Sequence, residues 1–147
     1  MVLKKKKLIE KTKKNFLNIK FFDYQSLKFV KNMIINADIC LVSLIPKIYK
    51  YSYPSKIMTY LEQGRPIICN IEKESEIIKN MKLQGYGFHA KFNNKQSMAN
   101  MLIRLADNNK WKKKMRQAAL LAFSKNFSPN IILKNWANVI KDLGSLN

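Results

Sequence analysis

Acidic residues are scarce in this sequence: nine Asp and Glu stand against 28 Lys and Arg in 147 residues, a formal charge of +19. Histidine occurs once, at His89, and cysteine twice, at Cys40 and Cys69. With one His and no His–Cys group at ligand spacing, a zinc site is not expected. A Ser-His-Asp or Cys-His device would have to use His89, and no nucleophile stands near it in the sequence. The two Cys sit inside apolar runs, ADICLVSL and PIICNI, where two reduced, buried thiols account for them; a disulfide scaffold would need more. No apolar run reaches the roughly eighteen residues of a membrane span. Lys4 to Lys7 are not followed by an apolar stretch of signal-peptide length, so no secretory leader is expected. What is present is core material. Apolar residues make up 47% and aromatics 11%, which excludes a disordered basic tail and suits one domain.

The charge is carried almost wholly by lysine. Arginine occurs only at positions 65, 104 and 116, so 28 − 3 leaves 25 Lys. Lys, Asn and Ile, all abundant here, are favoured by AT-rich codons, and such a bias produces this profile without a polyanion partner. Arg, the residue suited to bidentate phosphate and base contacts, is rare, and the Lys are spread along the chain. Nucleic acid is therefore not the expected partner. A weak pull toward anionic lipid headgroups fits better, at about 1 kcal/mol per Lys near such a surface.

Periodicity divides the chain into alternating elements. Residues 2–16 read as a basic helix, and 18–23 (NIKFFD) as a short strand. Residues 26–37 carry Leu27, Val30, Met33 and Ile34 at helical spacing behind Ser26, a good N-cap. The continuous apolar run 37–44 reads as a strand buried on both faces of a parallel sheet. A loop over 46–54 leads to a short helix, 55–63, capped by Ser55 and stopped by Gly64. A second buried strand (66–71), a helix (74–83), Gly85 and a short strand (86–90) follow. From residue 95 onward the chain reads as helix, broken at Asn108-Asn109 and Ser128-Pro129. Such alternation predicts an α/β fold with a parallel sheet of about four strands, flanking helices and a C-terminal helical tail. Ligands in such sheets sit beyond the carboxyl ends of the strands, which singles out the loops 23–26, 45–55 and 71–75.

One constellation carries chemistry. In YSYPSKIMTYLEQGRPI, two Tyr and a Pro precede a Ser-capped helix start. The first amides of a helix lack intrahelical partners and its dipole favours an anion, so the amides of Lys56, Ile57 and Met58 are candidates to hold a phosphate. Ile57, Met58 and Leu61 share the face expected to pack on the sheet, while Lys56 and Thr59 lie together on the other side. On spacing alone, an ordinary capped helix with a solvated Lys is the better explanation of the segment.

Taken in order, the runs ADICLVSL (37–44), YPSKIMTYLEQGRPIICNI (53–71), ESEIIKN (74–80), GYGF (85–88) and FSPNIILKNWANVI (127–140) resemble the nucleotide-sugar-binding half of a family 4, GT-B-type glycosyltransferase. The likeness runs from about residue 18 to 140. It implies a partial Rossmann-like domain, with a lead-in over 1–17, a donor-binding core over 18–91 and C-terminal helices over 92–147. It implies a UDP-sugar or other nucleoside-diphosphate-sugar donor, no metal or other cofactor, and a role in envelope or capsular polysaccharide synthesis. Tyr53, Pro54, Ser55 and Lys56 match the motif at the nucleotide. Many relatives grip the ribose with a Glu five residues before the Gly of the following "GKP"; Thr59 occupies that position here. Glu62, three residues later, is either a substitute or a solvated helix residue, the second being favoured.

The resemblance also marks what is missing: an acceptor-binding domain, where the family's catalytic base usually lies, and the first two strands of the donor domain. The chain is thus expected to be the donor portion of a truncated or split enzyme, without catalytic residues of its own and inactive alone. A separate acceptor-binding half is then an expected partner. The expected location is cytoplasmic, with peripheral contact at the inner face of the membrane. The competing reading is a non-catalytic basic module that binds an anionic membrane surface or nucleic acid. The strand 37–44 would lose its neighbours with the two missing strands, so 18–23 is expected to pair with it, or a partner chain to cover its edge.

Overall fold

Residues 18–144, with Glu10 ahead of them, are described in a computed structural model of the chain. The basic lead-in expected over 1–17 lies, Glu10 apart, outside the described residues. The chain divides into two compact units, residues 1–30 and 31–147. In the first, the Ser26 hydroxyl accepts from the Phe29 amide at 3.3 Å, so helix α1 (Leu27–Asn36) starts where the Ser predicts. Phe22 packs on Phe29 with ring centroids 5.7 Å apart. The strand expected at 18–23 is not formed: the segment runs from a turn at Asn18 to a bend at Tyr24 without ladder pairing. Ile19, Phe21 and Phe22 remain about 40% exposed (43%, 39% and 47%). Strand propensity expresses packing against neighbours, and this segment has too little of it.

The second unit is built on three parallel strands, β1 (Cys40–Ser43), β2 (Ile67–Asn70) and β3 (Gly87–His89), in the order β1-β2-β3. Val42 lies opposite Cys69, and Ile67 opposite Gly87. Among the described residues the sheet has three strands, not the expected four. A 3-10 turn (Ile48–Lys50) and helix α2 (Lys56–Glu62) connect β1 to β2, and α3 (Glu76–Gln84) connects β2 to β3. Helices α4 (Lys95–Ala106), α5 (Asn109–Asn126) and α6 (Pro129–Gly144) complete the unit.

Local chemistry sets these boundaries. Ser75, Asn94 and Asn108 each accept a backbone N–H through the side chain at the starts of α3, α4 and α5, and Pro129 opens α6 where its missing N–H costs nothing. Gly85 ends α3 in the left-handed region at φ +71°. Beyond α2, Gly64 takes φ +61° and the Arg65 amide returns to the Tyr60 carbonyl at 2.8 Å, the hydrogen-bond pattern of a glycine-terminated helix. Arg65 itself is buried, donating from Nε to the Gln63 carbonyl at 2.7 Å and from Nη1 to the Ala37 carbonyl at 3.0 Å.

The core has two parts, one on each face of β2. Ile67 and Cys69 join Val42, Ile57, Leu61, Ile78, Met81 and Tyr86 on one face, with Ala119 and Ala122 of α5. Ile68 joins Ala90, Leu105 and Met115 on the other. The expectation that β1 is buried on both faces does not hold: Cys40 and Val42 are buried, but Leu41 is 47% exposed. β1 is an edge strand whose second face no described helix covers, and only β2, with a strand on either side, reads as fully internal.

Gly87 is where the packing is tightest. A Cβ there would stand 2.1 Å from the Ile67 carbonyl oxygen and 2.9 Å from the Met81 sulfur, whereas a Cβ on Gly85 meets nothing within 4 Å. Gly87→Ala is expected to destabilise the fold by about 3 kcal/mol, the upper end of overpacking costs. Gly85→Ala, strained only by its backbone, should cost roughly 1–2 kcal/mol. Urea unfolding of both variants checks the order; equal costs would mean that the β2–β3 contact is not the constraint.

Candidate functional site

Parallel strands deliver their carboxyl ends to one edge of the sheet, so the loops that follow β1 and β2 meet there. Residues 49–53 from the first and 74–77 from the second line an open cleft of about 420 Å³, a size within the range of small-ligand sites. Tyr49, Tyr51 and Tyr53 give it aromatic surface, Lys50 a cation, and Glu74 and Glu76 carboxylates.

The loop is pinned at both ends. Lys47 adopts φ 66°, and its amide donates to Oε1 of Glu72 at 2.7 Å. The second Glu72 oxygen, Oε2, is buried without a hydrogen-bond partner. At the far end Pro54 is buried, and the Tyr53 ring lies 5.9 Å from that of Phe127. The side chain of Tyr86, enclosed in the core, is a hydrogen-bonding partner of the Tyr53 hydroxyl. Burial pushes the Tyr53 phenol up to about 12, with Cys69 adding to the rise and the Tyr86 bond opposing it. Burial also drives the Tyr86 phenol upward and the Cys69 thiol to about 12. On the opposite wall, Ser75 Oγ accepts from the Ile77 amide at 3.2 Å, and Glu76 pairs with Lys79 at 2.6 Å on the surface.

Of the six residues singled out in the sequence, only Tyr53 lines this cleft. Ser55 and Lys56 are exposed, and Thr59 is half-buried. The Ser55 side chain does not cap α2, because Ser55 is already helical at φ −55°, ψ −30°. The expected row of free amides is also mostly spent: Ile57 N–H donates to the Pro54 carbonyl and Met58 N–H to the Ser55 carbonyl, each at 3.0 Å. Pro54 and Ser55 enter the helix through a tight i+3 turn that satisfies the donors a phosphate would have used. Glu62 lies 3.8 Å from Lys31 with both side chains partly exposed, in keeping with a solvated helix residue. Sequence reasoning missed Tyr49, Lys50, Tyr51, Glu74 and Glu76 as individuals. Their signal was positional: they sit in or beside the loops 45–55 and 71–75.

His89 is held by structure, with Nε2 2.8 Å from the Ile71 carbonyl oxygen. Among the described residues no group of three or more His, Cys, Asp or Glu is placed to hold a metal ion, and no helix is long and apolar enough to cross a membrane. Comparison with protein-family models, with curated proteins and with solved structures gives no match.

The partly exposed Tyr53 phenol and the buried Cys69 thiol set an alkaline limit. Folding raises Tyr53 from 10.0 to about 12 and Cys69 from 9.0 to about 12. The unfolded chain therefore releases these protons first, and their stabilisation is complete below about pH 9 and lost as pH rises toward about 12. Urea unfolding at stepped pH should show that decline, and Tyr53→Phe should reduce the part above pH 10. At neutral pH the same variant should cost about 1 kcal/mol, since it removes the hydrogen-bonding partner of Tyr86. An unchanged alkaline slope in Tyr53→Phe would remove Tyr53 from this account.

Proposed function

We propose that this chain is the nucleotide-sugar-binding portion of a glycosyltransferase, of the GT-B type its motifs resemble, with a role in envelope or capsular polysaccharide synthesis. The observation that carries the reading is the cleft beyond the carboxyl ends of β1 and β2, lined by residues 49–53 and 74–77. That is the edge at which open parallel sheets take their ligands. Its chemistry suits the donor. Tyrosine faces offer stacking surface to a base, carboxylates accept from sugar hydroxyls, and Lys50, with Lys56 at the start of α2, supplies positive charge for a diphosphate. With two of the three helix amides occupied, the lysine side chains carry most of the phosphate recognition.

A second chain bearing the acceptor site belongs to this reading. It is supported by the open outer edge of β1 with Leu41 exposed. The apolar stripe of α6, in which Leu133, Trp136, Ile140 and Leu143 are each more than 60% exposed, also supports it. Transfer requires donor and acceptor to be held together with a base in reach, so on this reading donor binding is the part of the reaction assigned to these residues.

Calorimetric titration with UDP, and with UDP-glucose, tests this reading. Weak, saturable binding is expected, and Lys50→Ala and Lys56→Ala should each weaken it about tenfold, the worth of one charge-assisted hydrogen bond. Glu62→Ala should leave it unchanged, and Thr59→Glu should strengthen it where the ribose lies beside α2. Binding that is unsaturable and fades steadily with salt would instead favour the basic-module reading. Sugar transfer by the purified chain would overturn the assignment of donor binding alone to these residues.

A further inference from the structure

We infer that the unit carries a second site, at the amino end of β3, for a small aromatic anion: a planar apolar body bearing one acidic group. A cleft of about 380 Å³ lies between the C-terminal turn of α3, the start of β3 and the first turns of α5. Two of its walls are aromatic. Phe88 and Trp111 meet with ring centroids 5.7 Å apart, tilted by 43°. The indole is half-buried, and its residue sits at the start of α5, where the Asn108 side chain accepts from the Trp111 amide at 2.9 Å. The Arg104 guanidinium, which does not line the cleft, lies 5.3 Å from the indole centroid.

Beside the packed aromatic pair the lining is the Met115 side chain and the bare backbone of Gly85 and Gly87. Gly85 owes its place to the left-handed end of α3, and Gly87 to its contact with the Ile67 carbonyl. At Gly87 a Cβ would point into the Ile67 carbonyl and the Met81 sulfur rather than into the cleft, whereas at Gly85, where a Cβ meets nothing within 4 Å, the missing side chain leaves open space for a flat ring. Polar character comes from two cations, Lys82 and Lys114, and no carboxylate lines the cleft. Predominantly apolar walls with a few convergent polar groups are the usual build of a small-molecule site, and here the polar groups are all of one sign. A polyanion such as a diphosphate would find no Arg and mostly apolar surface. A neutral ring would leave both ammonium groups without a partner. An aromatic acid satisfies walls and cations together, its ring on Phe88 and Trp111 and its acid between the lysines.

This site is separate from the carboxyl-end cleft. The two lie at opposite ends of α3, whose nine residues span about 13 Å, and the inference does not depend on the nucleotide reading. The chain contains four glycines, at 64, 85, 87 and 144, and two of them line the proposed site. Protein labelled with ¹⁵N-glycine and titrated with 2-naphthoate therefore reports on it directly. Saturable shifts are expected at Gly85 and Gly87, with Gly64 and Gly144 as internal references that stay still. The neutral isostere 2-naphthalenemethanol should bind at least about tenfold more weakly, and so should naphthoate to the exposed-site double variant Lys82→Glu/Lys114→Glu. UDP at saturating concentration should not displace naphthoate. Unmoved Gly85 and Gly87 signals at millimolar naphthoate would overturn the inference. So would equal shifts at all four glycines, equal binding of the neutral alcohol, or an unaffected double variant that retains the wild-type spectrum elsewhere.

Discussion

The second unit depends on one constraint: β2 must be covered on both faces at once. Successive side chains of a strand point to opposite sides, so Ile67 and Cys69 enter one core and Ile68 the other, each of the three at most 1% exposed. Parallel pairing requires long crossovers, and the helices in those crossovers provide the cover. α5 serves both sides. Met115 reaches the Ile68 face, and a turn or two later Ala119 and Ala122 lie against the opposite core. Small side chains there let the helix come close; a Cβ on Gly64 would already stand 3.0 Å from Leu120. β1 displays the same principle by default. With a strand on one side only, its outward residues stay exposed.

The placement of the sites follows from that arrangement. Because all three strands run the same way, the loops that leave β1 and β2 converge on one edge, while the turn into β3 opens at the other. α3 spans the distance between them. Its acid-rich start, Glu74 to Glu76, borders the upper cleft, and its Gly-terminated end borders the lower. The cap residues that define the helix, Ser75 and Gly85, are therefore also wall residues of two different cavities. The same hydrogen bonds that fix its length fix the spacing of the clefts.

Much of this was legible in the sequence because the determining signals are local. Ser26, Asn108 and Pro129 mark helix starts through chemistry that acts within one turn, and Gly64 and Gly85 mark ends the same way. PIICNI announced an internal strand correctly. ADICLVSL, equally apolar, did not, since whether a strand is internal depends on which neighbours arrive, and no residue within the strand records that. NIKFFD failed for a related reason, because β-forming side chains make a strand only where something packs on them. The site was half legible. Topology pointed to the right loops, but the helix-start chemistry read from Ser55 was wrong. A Pro-Ser pair can enter a helix by capping or by a tight turn, and the choice lies in the ψ angle of Ser55, which composition does not encode.

The surplus charge bears on how recognition at either cleft must work. At +19, a net figure in which the nine acids are already counted, the chain attracts anions in general. Attraction of that kind is long-ranged, weakens with salt, and discriminates poorly between one anion and another. Selectivity therefore has to come from the short-range features: tyrosine faces and carboxylates in the upper cleft, and an indole and a phenyl ring beside Met115 and glycine backbone in the lower. In the upper cleft Glu74 and Glu76 oppose the general field, so a bare phosphate gains less there than a ligand whose hydroxyls those carboxylates can accept from. In the lower cleft the lysines act with the field, and only the fit of a flat apolar body separates a true ligand from any passing anion.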